Sequence, residues 1–155
     1  MKKHKSEKGQ SLVEFAISLV IILWLLAGAV ELGIALFQFI QLRDAAQEGA
    51  LYGSICPVES KIVARVRNAS SSPVALSTTS GPNAVTVVVE GRVGTGTTSK
   101  ALTTVTPGDG VYVKVSFNHR VFMPFATLFL NSTIPINASV TDTVLDTDTT
   151  KVECQ

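Results

Sequence analysis

The stretch Lys8-Gly9-Gln10-Ser11-Leu12-Val13-Glu14-Phe15 opens the most apolar segment of the chain. A short basic leader ends in a glycine, and a long hydrophobic run with one early carboxylate follows directly. From Phe15 to Val30 no residue is charged, and Ser18 is the one polar side chain. Such uniform apolarity is rare in the buried helix of a soluble protein and favours a segment that lies in a membrane.

The length of this segment suits a membrane span. A helix from Phe15 to Val30 covers about 24 Å, and one that continues to Ile40 covers about 39 Å, against a hydrocarbon core of about 30 Å. No proline interrupts the chain between Gln10 and Cys56, so a single helix can run through the stretch. We therefore expect a transmembrane helix over residues 10–55.

Charge is asymmetric around this helix. The leader carries four lysines and one opposing carboxylate, namely Lys2, Lys3, Lys5, Lys8 and Glu7. Positive charge favours the cytoplasmic side of a membrane. We expect a single-pass protein of the cell membrane, with residues 1–9 as a cytoplasmic leader and residues 56–155 as an extracytoplasmic domain.

The leader does not resemble a secretory signal peptide, which is cut after its hydrophobic region. The predicted processing point lies before the run, after Gly9, so that cleavage keeps the helix and frees the α-amine of Gln10. Glu14 follows four residues later. An ionised carboxylate at this depth is costly unless it is paired. We expect it to pair with that amine, in the same or an adjacent subunit; a carboxylate that reaches the membrane interface is the alternative. Glu31, further along, either faces a partner helix or marks the outer interface.

Beyond Ile40 the helix becomes amphipathic, with a stripe of small residues on one face. The stripe consists of Leu42, Ala45, Ala46, Gly49, Ala50 and Gly53. Small side chains allow close approach of another backbone. The stripe is expected to pack either on the chain's own domain or on a partner.

Three motifs in order resemble the TadE/TadG-like minor pilins, or pseudopilins, of the tight-adherence (Flp) type IV pilus system. They are Gly9–Phe15, Val30–Gly33 and Asp44–Gly53, which together cover about the first third of the chain. The resemblance implies a pilin-like α+β fold and cleavage after Gly9 by a membrane prepilin peptidase. It also implies an assembly role for Glu14, Phe15 and Glu31. Gln10 stands where familiar type IV pilins have phenylalanine.

The remainder of the chain predicts a short helix and a small antiparallel β-sheet of three or four strands, packed on the outer half of the long helix. Pro57–Ala69 has the pattern of an amphipathic helix, and the strand signals lie at Ala84–Glu90, Val111–Phe117 and Thr133–Leu145. Residues 91–100 are rich in Gly and Thr and read as a connection. The apolar insert 121–130 is either a helix on the sheet or an exposed contact site.

Cys56 and Cys154 flank the predicted exported domain. In an oxidising compartment they can close a disulfide that joins the helix exit to the chain terminus. Two buried or free thiols are the alternative.

Several function classes lack support in the sequence. The net charge of +1 does not favour nucleic acid. The two histidines form no cluster or triad, and the two cysteines have no metal-site spacing. We expect no enzymatic activity and no cofactor.

The expected function is assembly of a Tad/Flp pilus or a related secretion apparatus. The expected partners are the lipid bilayer, other pilin subunits, the prepilin peptidase and the assembly machinery. The chain either enters a surface filament or only helps to build one. A type II secretion pseudopilin and a single-span anchored binding domain are the alternatives.

Overall fold

The computed structural model describes residues 8–123, 131–148 and 154. Its elements are helix α1 (Lys8–Ile55), helix α2 (Glu59–Asn68), strands β1 (Val85–Arg92) and β2 (Ser99–Lys100), a 3-10 turn (Leu102–Thr104), and strands β3 (Gly110–Arg120) and β4 (Thr133–Thr143). The predicted α+β class, with a long N-terminal helix, a short helix and a small antiparallel sheet, is confirmed. Residues 1–7 of the leader and 124–130 of the apolar insert lie outside the described residues.

Helix α1 is the longest element, with 48 residues and therefore a length of about 72 Å. Its sequence is rich in Leu, Ala, Ile and Val and contains no proline. The Cys56 N–H still bonds to the Tyr52 carbonyl, at 3.0 Å. Pro57 comes next and has no N–H to continue the ladder, so the helix ends there.

The sheet has the strand order β2-β1-β3-β4, and every pair is antiparallel. Strand β3 lies between β1 and β4, with Val85 opposite Phe117 in the first pair and Gly110 opposite Thr143 in the second. The three strands predicted from the sequence are found within a few residues of their expected bounds.

Strand β2 lies within residues 91–100, which the sequence pattern predicts to be a connection. Strand β1 instead continues to Arg92, and the chain turns back to form β2. The Val93 N–H bonds to the Thr98 carbonyl at 3.0 Å, and Gly94 provides the positive φ of the turn, +57°. A strand of two residues has too little sequence to carry an alternating pattern.

The core lies between α1, α2 and one face of the sheet. Alternate residues of β3 are buried on that face, from Val111 to His119. In the small-residue stripe of α1, Leu42, Ala45, Ala46 and Ala50 are at most 1% exposed. Of the two alternatives for this stripe, packing on the chain's own domain is the one found.

The direction of packing follows from contacts at both ends of the stripe. Positions for a Cβ on Gly53 and Gly49 lie 2.8 Å from Val111 and 3.5 Å from Val113, respectively. His119 lies six residues further along β3 on the same buried face, and it contacts Gln38 of α1. Strand β3 therefore runs antiparallel to α1, and its C-terminal end approaches the apolar half of the helix.

A disulfide joins Cys56 to Cys154, with their Cα atoms 5.6 Å apart. The bond links the end of α1 to the C-terminal region across 98 positions of sequence. Closing a loop of this length removes unfolded-state entropy worth roughly 4–5 kcal/mol in the chain-entropy treatment.

The contact at Gly49 predicts a size limit in the stripe. A Cβ at this position would overlap Val66, whereas a Cβ at Gly33 would meet nothing within 4 Å. Gly49→Ala should lose about 1–3 kcal/mol to overpacking, against a helix-propensity gain of about 1 kcal/mol. Gly33→Ala is the control, because it changes propensity alone.

We expect Gly49→Ala to be less stable than Gly33→Ala in urea unfolding of the detergent-solubilised protein. Equal stability of the two variants would contradict the close packing of α1 on α2.

Candidate membrane and assembly helix

The N-terminal half of α1 presents apolar side chains in every direction. Consecutive residues from Ile21 to Leu26 are 41–71% exposed. Among the described residues, one helix is long and apolar enough to cross a membrane, and it covers Gly9–Ile55. None of its most apolar 18 residues is buried. An apolar surface on all sides of a helix indicates an apolar solvent rather than a single docking partner. The helix is thus of the single-pass membrane type.

The apolar surface extends beyond the point where the sheet begins to dock. Leu32, Leu36 and Phe37 are 53–62% exposed, although Gln38 and Leu42 on the opposite face are buried. Outward-facing apolar residues thus run from Leu12 to Ile40, about 42 Å of helix. This exceeds a hydrocarbon core of about 30 Å, so part of the surface is available for contacts other than lipid.

The predicted processing and pairing residues lie at the start of this surface. Gly9 and Gln10 are exposed in the first turn of α1, and Phe15 is 65% exposed. The Gln10 Nε2 donates to Glu14 Oε1 at 3.1 Å, and the Ser18 hydroxyl donates to the Glu14 carbonyl at 2.9 Å. The α-nitrogen of Gln10 is part of a peptide bond in this uncleaved chain, so pairing of Glu14 with a free amine stays a prediction.

Glu31 has partners within its own chain, which neither sequence alternative anticipated. Its Oε1 lies 2.7 Å from His119 Nε2. The Phe122 N–H donates to both carboxylate oxygens, at 3.1 and 3.2 Å. The side chain is only 15% exposed. Glu31 is therefore held by the end of β3 and does not project outward.

His119 connects this carboxylate to a second residue of α1. Its Nδ1 lies 2.7 Å from Gln38 Oε1, and the side chain is 1% exposed. The ring therefore bridges two residues of α1 that lie seven positions apart, and it anchors the end of β3 at the junction between the apolar helix and the sheet.

Sequence reasoning treated His119 as an isolated residue and missed this cluster. A usable signal was present, since His119 shares the alternation of Val111, Val113, Val115 and Phe117 and so belongs to the buried face of β3. A buried histidine needs polar partners. The sequence does not identify them, because Glu31 and Gln38 lie 88 and 81 residues away.

A second charged cluster, at Asp109, holds the loops at the opposite end of β3. Its Oδ2 accepts from Lys100 Nζ at 2.6 Å, from the Thr106 N–H at 2.8 Å and from the Thr106 hydroxyl at 2.9 Å. Oδ1 accepts from the Gly94 N–H at 3.2 Å. Lys100, followed by these other donors, holds the pKa of Asp109 well below its usual range. The carboxylate therefore stays ionised at neutral pH and ties three loop segments together.

Metal chemistry has no obvious location in the part of the chain that the structure describes. Within residues 8–123, 131–148 and 154, no group of three or more His, Cys, Asp or Glu side chains is arranged to hold a metal ion. The described charged clusters are satisfied by contacts between α1, the strands and the loops.

One comparison with known families concerns the N-terminal helix. Residues 9–51 match the family of TadE-like proteins. The N-terminal segment is TadE-like. The match begins at Gly9 and ends at Leu51, so it includes Glu14, Glu31 and most of the small-residue stripe but none of the sheet. Searches of curated proteins and of solved structures found no match.

The contact of Glu31, inside the matched segment, with His119 of β3 predicts strong coupling between helix and sheet. Leaving a buried hydrogen-bonding group without its partner typically costs about 1–3 kcal/mol. His119→Ala should therefore weaken docking of β3 on α1. The exposed neighbour Asn118 provides the control, because Asn118→Ala should change stability by less than about 0.5 kcal/mol.

Hydrogen exchange of residues 31–42 and urea unfolding in detergent measure these effects. The double variant Glu31→Gln, His119→Ala should lose less stability than the sum of the two single variants. Additive losses, or a His119→Ala variant as stable as Asn118→Ala, would contradict the coupling.

Proposed function

We propose that this chain is a minor pilin-like membrane subunit that takes part in assembly of a Tad/Flp-type pilus. The observation that carries the proposal is the TadE-like match over residues 9–51, on a helix whose most apolar 18 residues are not buried by the chain's own domain. Such a helix can exchange lipid contacts for contacts with neighbouring pilin helices without unfolding the sheet. The role is mechanical rather than catalytic.

Prepilin peptidase cleavage after Gly9 is the proposed first step. Gly9 is exposed, and nothing lies within 4 Å of the position where a Cβ would stand. A peptidase that works at the membrane surface thus meets an unobstructed backbone there. Cleavage removes the basic leader, keeps the apolar helix and creates an α-amine on Gln10, one helical turn before Glu14.

The charged Glu14 then directs assembly. Its side chain is exposed and has one side-chain partner among the described residues, the Gln10 amide. A carboxylate in this position gains from an amine of an adjacent subunit, because both charges are poorly solvated in a membrane. Pairing between subunits would set their axial register.

The C-terminal domain is proposed to face the outside of the cytoplasmic membrane. Its disulfide between Cys56 and Cys154 suits an oxidising compartment. The lysines of the leader suit the cytoplasmic side. Both features support the same orientation, in which the sheet is presented to the assembly machinery or to other subunits.

The cleavage step is tested with Gly9→Val. A β-branched side chain next to the scissile bond should block processing, so the precursor keeps its nine leader residues. Ser11→Val is the matched control, since it introduces the same side chain two residues later and should be cleaved normally. Mass spectrometry of the membrane-extracted protein, with and without a co-expressed prepilin peptidase, measures the result. An intact Met1 in the unaltered chain with the peptidase present would refute the pilin function.

The assembly step is tested with Glu14→Ala in the cleaved protein. Loss of the pair and removal of a charge from the membrane both favour the lipid-embedded state, so incorporation into pili should fall about tenfold or more. Membrane insertion should be unchanged. Ser18→Ala, one turn later, is the control and should assemble normally. The readout is the amount of the chain in sheared pili or cross-linked to other pilins, and normal incorporation of Glu14→Ala would exclude the register mechanism.

A further inference from the structure

Phe122 occupies an unusual position for a large aromatic residue. It lies two residues after β3, and its side chain is 69% exposed. Its backbone N–H bonds to Glu31, and its ring stands edge-on to that of His119, with centroids 6.3 Å apart. These contacts fix the backbone against α1 while most of the ring remains uncovered.

The surroundings of Phe122 belong to the apolar half of α1. Phe122 and Met123 share a shallow groove with helix residues, namely Leu23, Leu26, Ala27, Val30, Glu31 and Ile34. The Met123 Cε lies 3.6 Å from the position of a Cβ on Gly28. The one charged member, Glu31, is engaged by His119 and the Phe122 N–H. The exposed surface of Phe122 is therefore continuous with that of the membrane-type helix.

The depth of the groove follows from the helix. Leu23 lies eight residues before Glu31, which is about 12 Å along the helix axis. Residues 21–26 are exposed on consecutive positions and thus on all sides, as expected where lipid surrounds the helix. The side chains of Phe122 and Met123 lie in the groove with Leu26 and Val30, and they therefore extend to the same depth in the membrane as these helix residues.

We propose that the end of β3, through Phe122 and Met123, is a second membrane-contacting element that inserts into the outer leaflet beside α1. The groove between these two residues and α1 is occupied by the acyl chains of lipids, near their boundary with the headgroups. This inference rests on the membrane span of the proposed function. The cluster of Glu31, His119 and Gln38 lies directly behind the inserted side chains and sets the height and tilt of the sheet above the bilayer. Entry of the subunit into a filament then requires the β3 end to leave the lipid together with the helix.

Tryptophan fluorescence in vesicles tests the depth of this site. The chain has one tryptophan, Trp24, so Trp24→Phe supplies a dark background for Phe122→Trp. Leu145→Trp is the matched control, because Leu145 is also 69% exposed. Its N–H bonds to the Ser54 carbonyl, about 35 Å along α1 from Glu31. The full-length chains are reconstituted in phosphatidylcholine vesicles with or without bromine on the acyl chains near the headgroup.

We expect Phe122→Trp to emit at shorter wavelength than Leu145→Trp and to lose most of its emission in brominated vesicles. Leu145→Trp should emit equally in both. Emission of Phe122→Trp that is insensitive to bromine would overturn the inference, as would emission that instead changes with the density of protein in the vesicle, which indicates cover by another chain. Trp24 of the unaltered protein separates the two proposals. If Trp24 resists quenching by lipids brominated near the chain ends, the membrane span itself fails; if Trp24 is quenched and Phe122→Trp is not, only the second contact fails.

Discussion

The close packing of the alanine and glycine stripe of α1 against α2 and β3 is the contact on which the rest of the structure depends. Gly49 and Gly53 bring the helix backbone within reach of Ile62, Val66 and the valines of β3. Larger side chains would hold the sheet away from the helix. Since the stripe occupies only the C-terminal half of α1, residues 9–26 remain exposed, and one helix can serve both a protein core and a membrane.

This division creates an electrostatic problem at the junction. Between Glu14 and Arg43, Glu31 is the one ionisable residue of the helix sequence, and a carboxylate close to hydrocarbon is costly unless it is paired. The antiparallel course of β3 along α1 brings His119 and the Phe122 N–H to this position. The fold thus satisfies Glu31 from within the same chain, and the polar cluster also fixes the end of the sheet at the level of Glu31, within the apolar surface of the helix.

Features that depend on local sequence were predictable. The lack of proline and charge defined α1, and the alternation of valines defined β1 and β3. Each of these patterns can be read from neighbouring residues within a single helix or strand. The stripe could be recognised but its partner could not, since an Ala/Gly face fits a sheet as well as another helix. The Glu31–His119 contact spans 88 residues of sequence and depends on the register of β3 on α1. Neither residue carries that information by itself.

The two membrane-proximal carboxylates of α1, Glu14 and Glu31, differ in a way that bears on the proposed assembly role. Glu31 is matched by groups of its own domain, so its environment travels with the subunit when lipid is exchanged for other helices. Glu14 has the Gln10 amide as its side-chain partner among the described residues, and an amide does not balance its charge. An unbalanced charge favours any state that supplies a cation. Under the proposed function, a helix with one carboxylate satisfied internally and one left for an external partner would be stable as a membrane-stored monomer, and it would gain electrostatic free energy when a second subunit arrives.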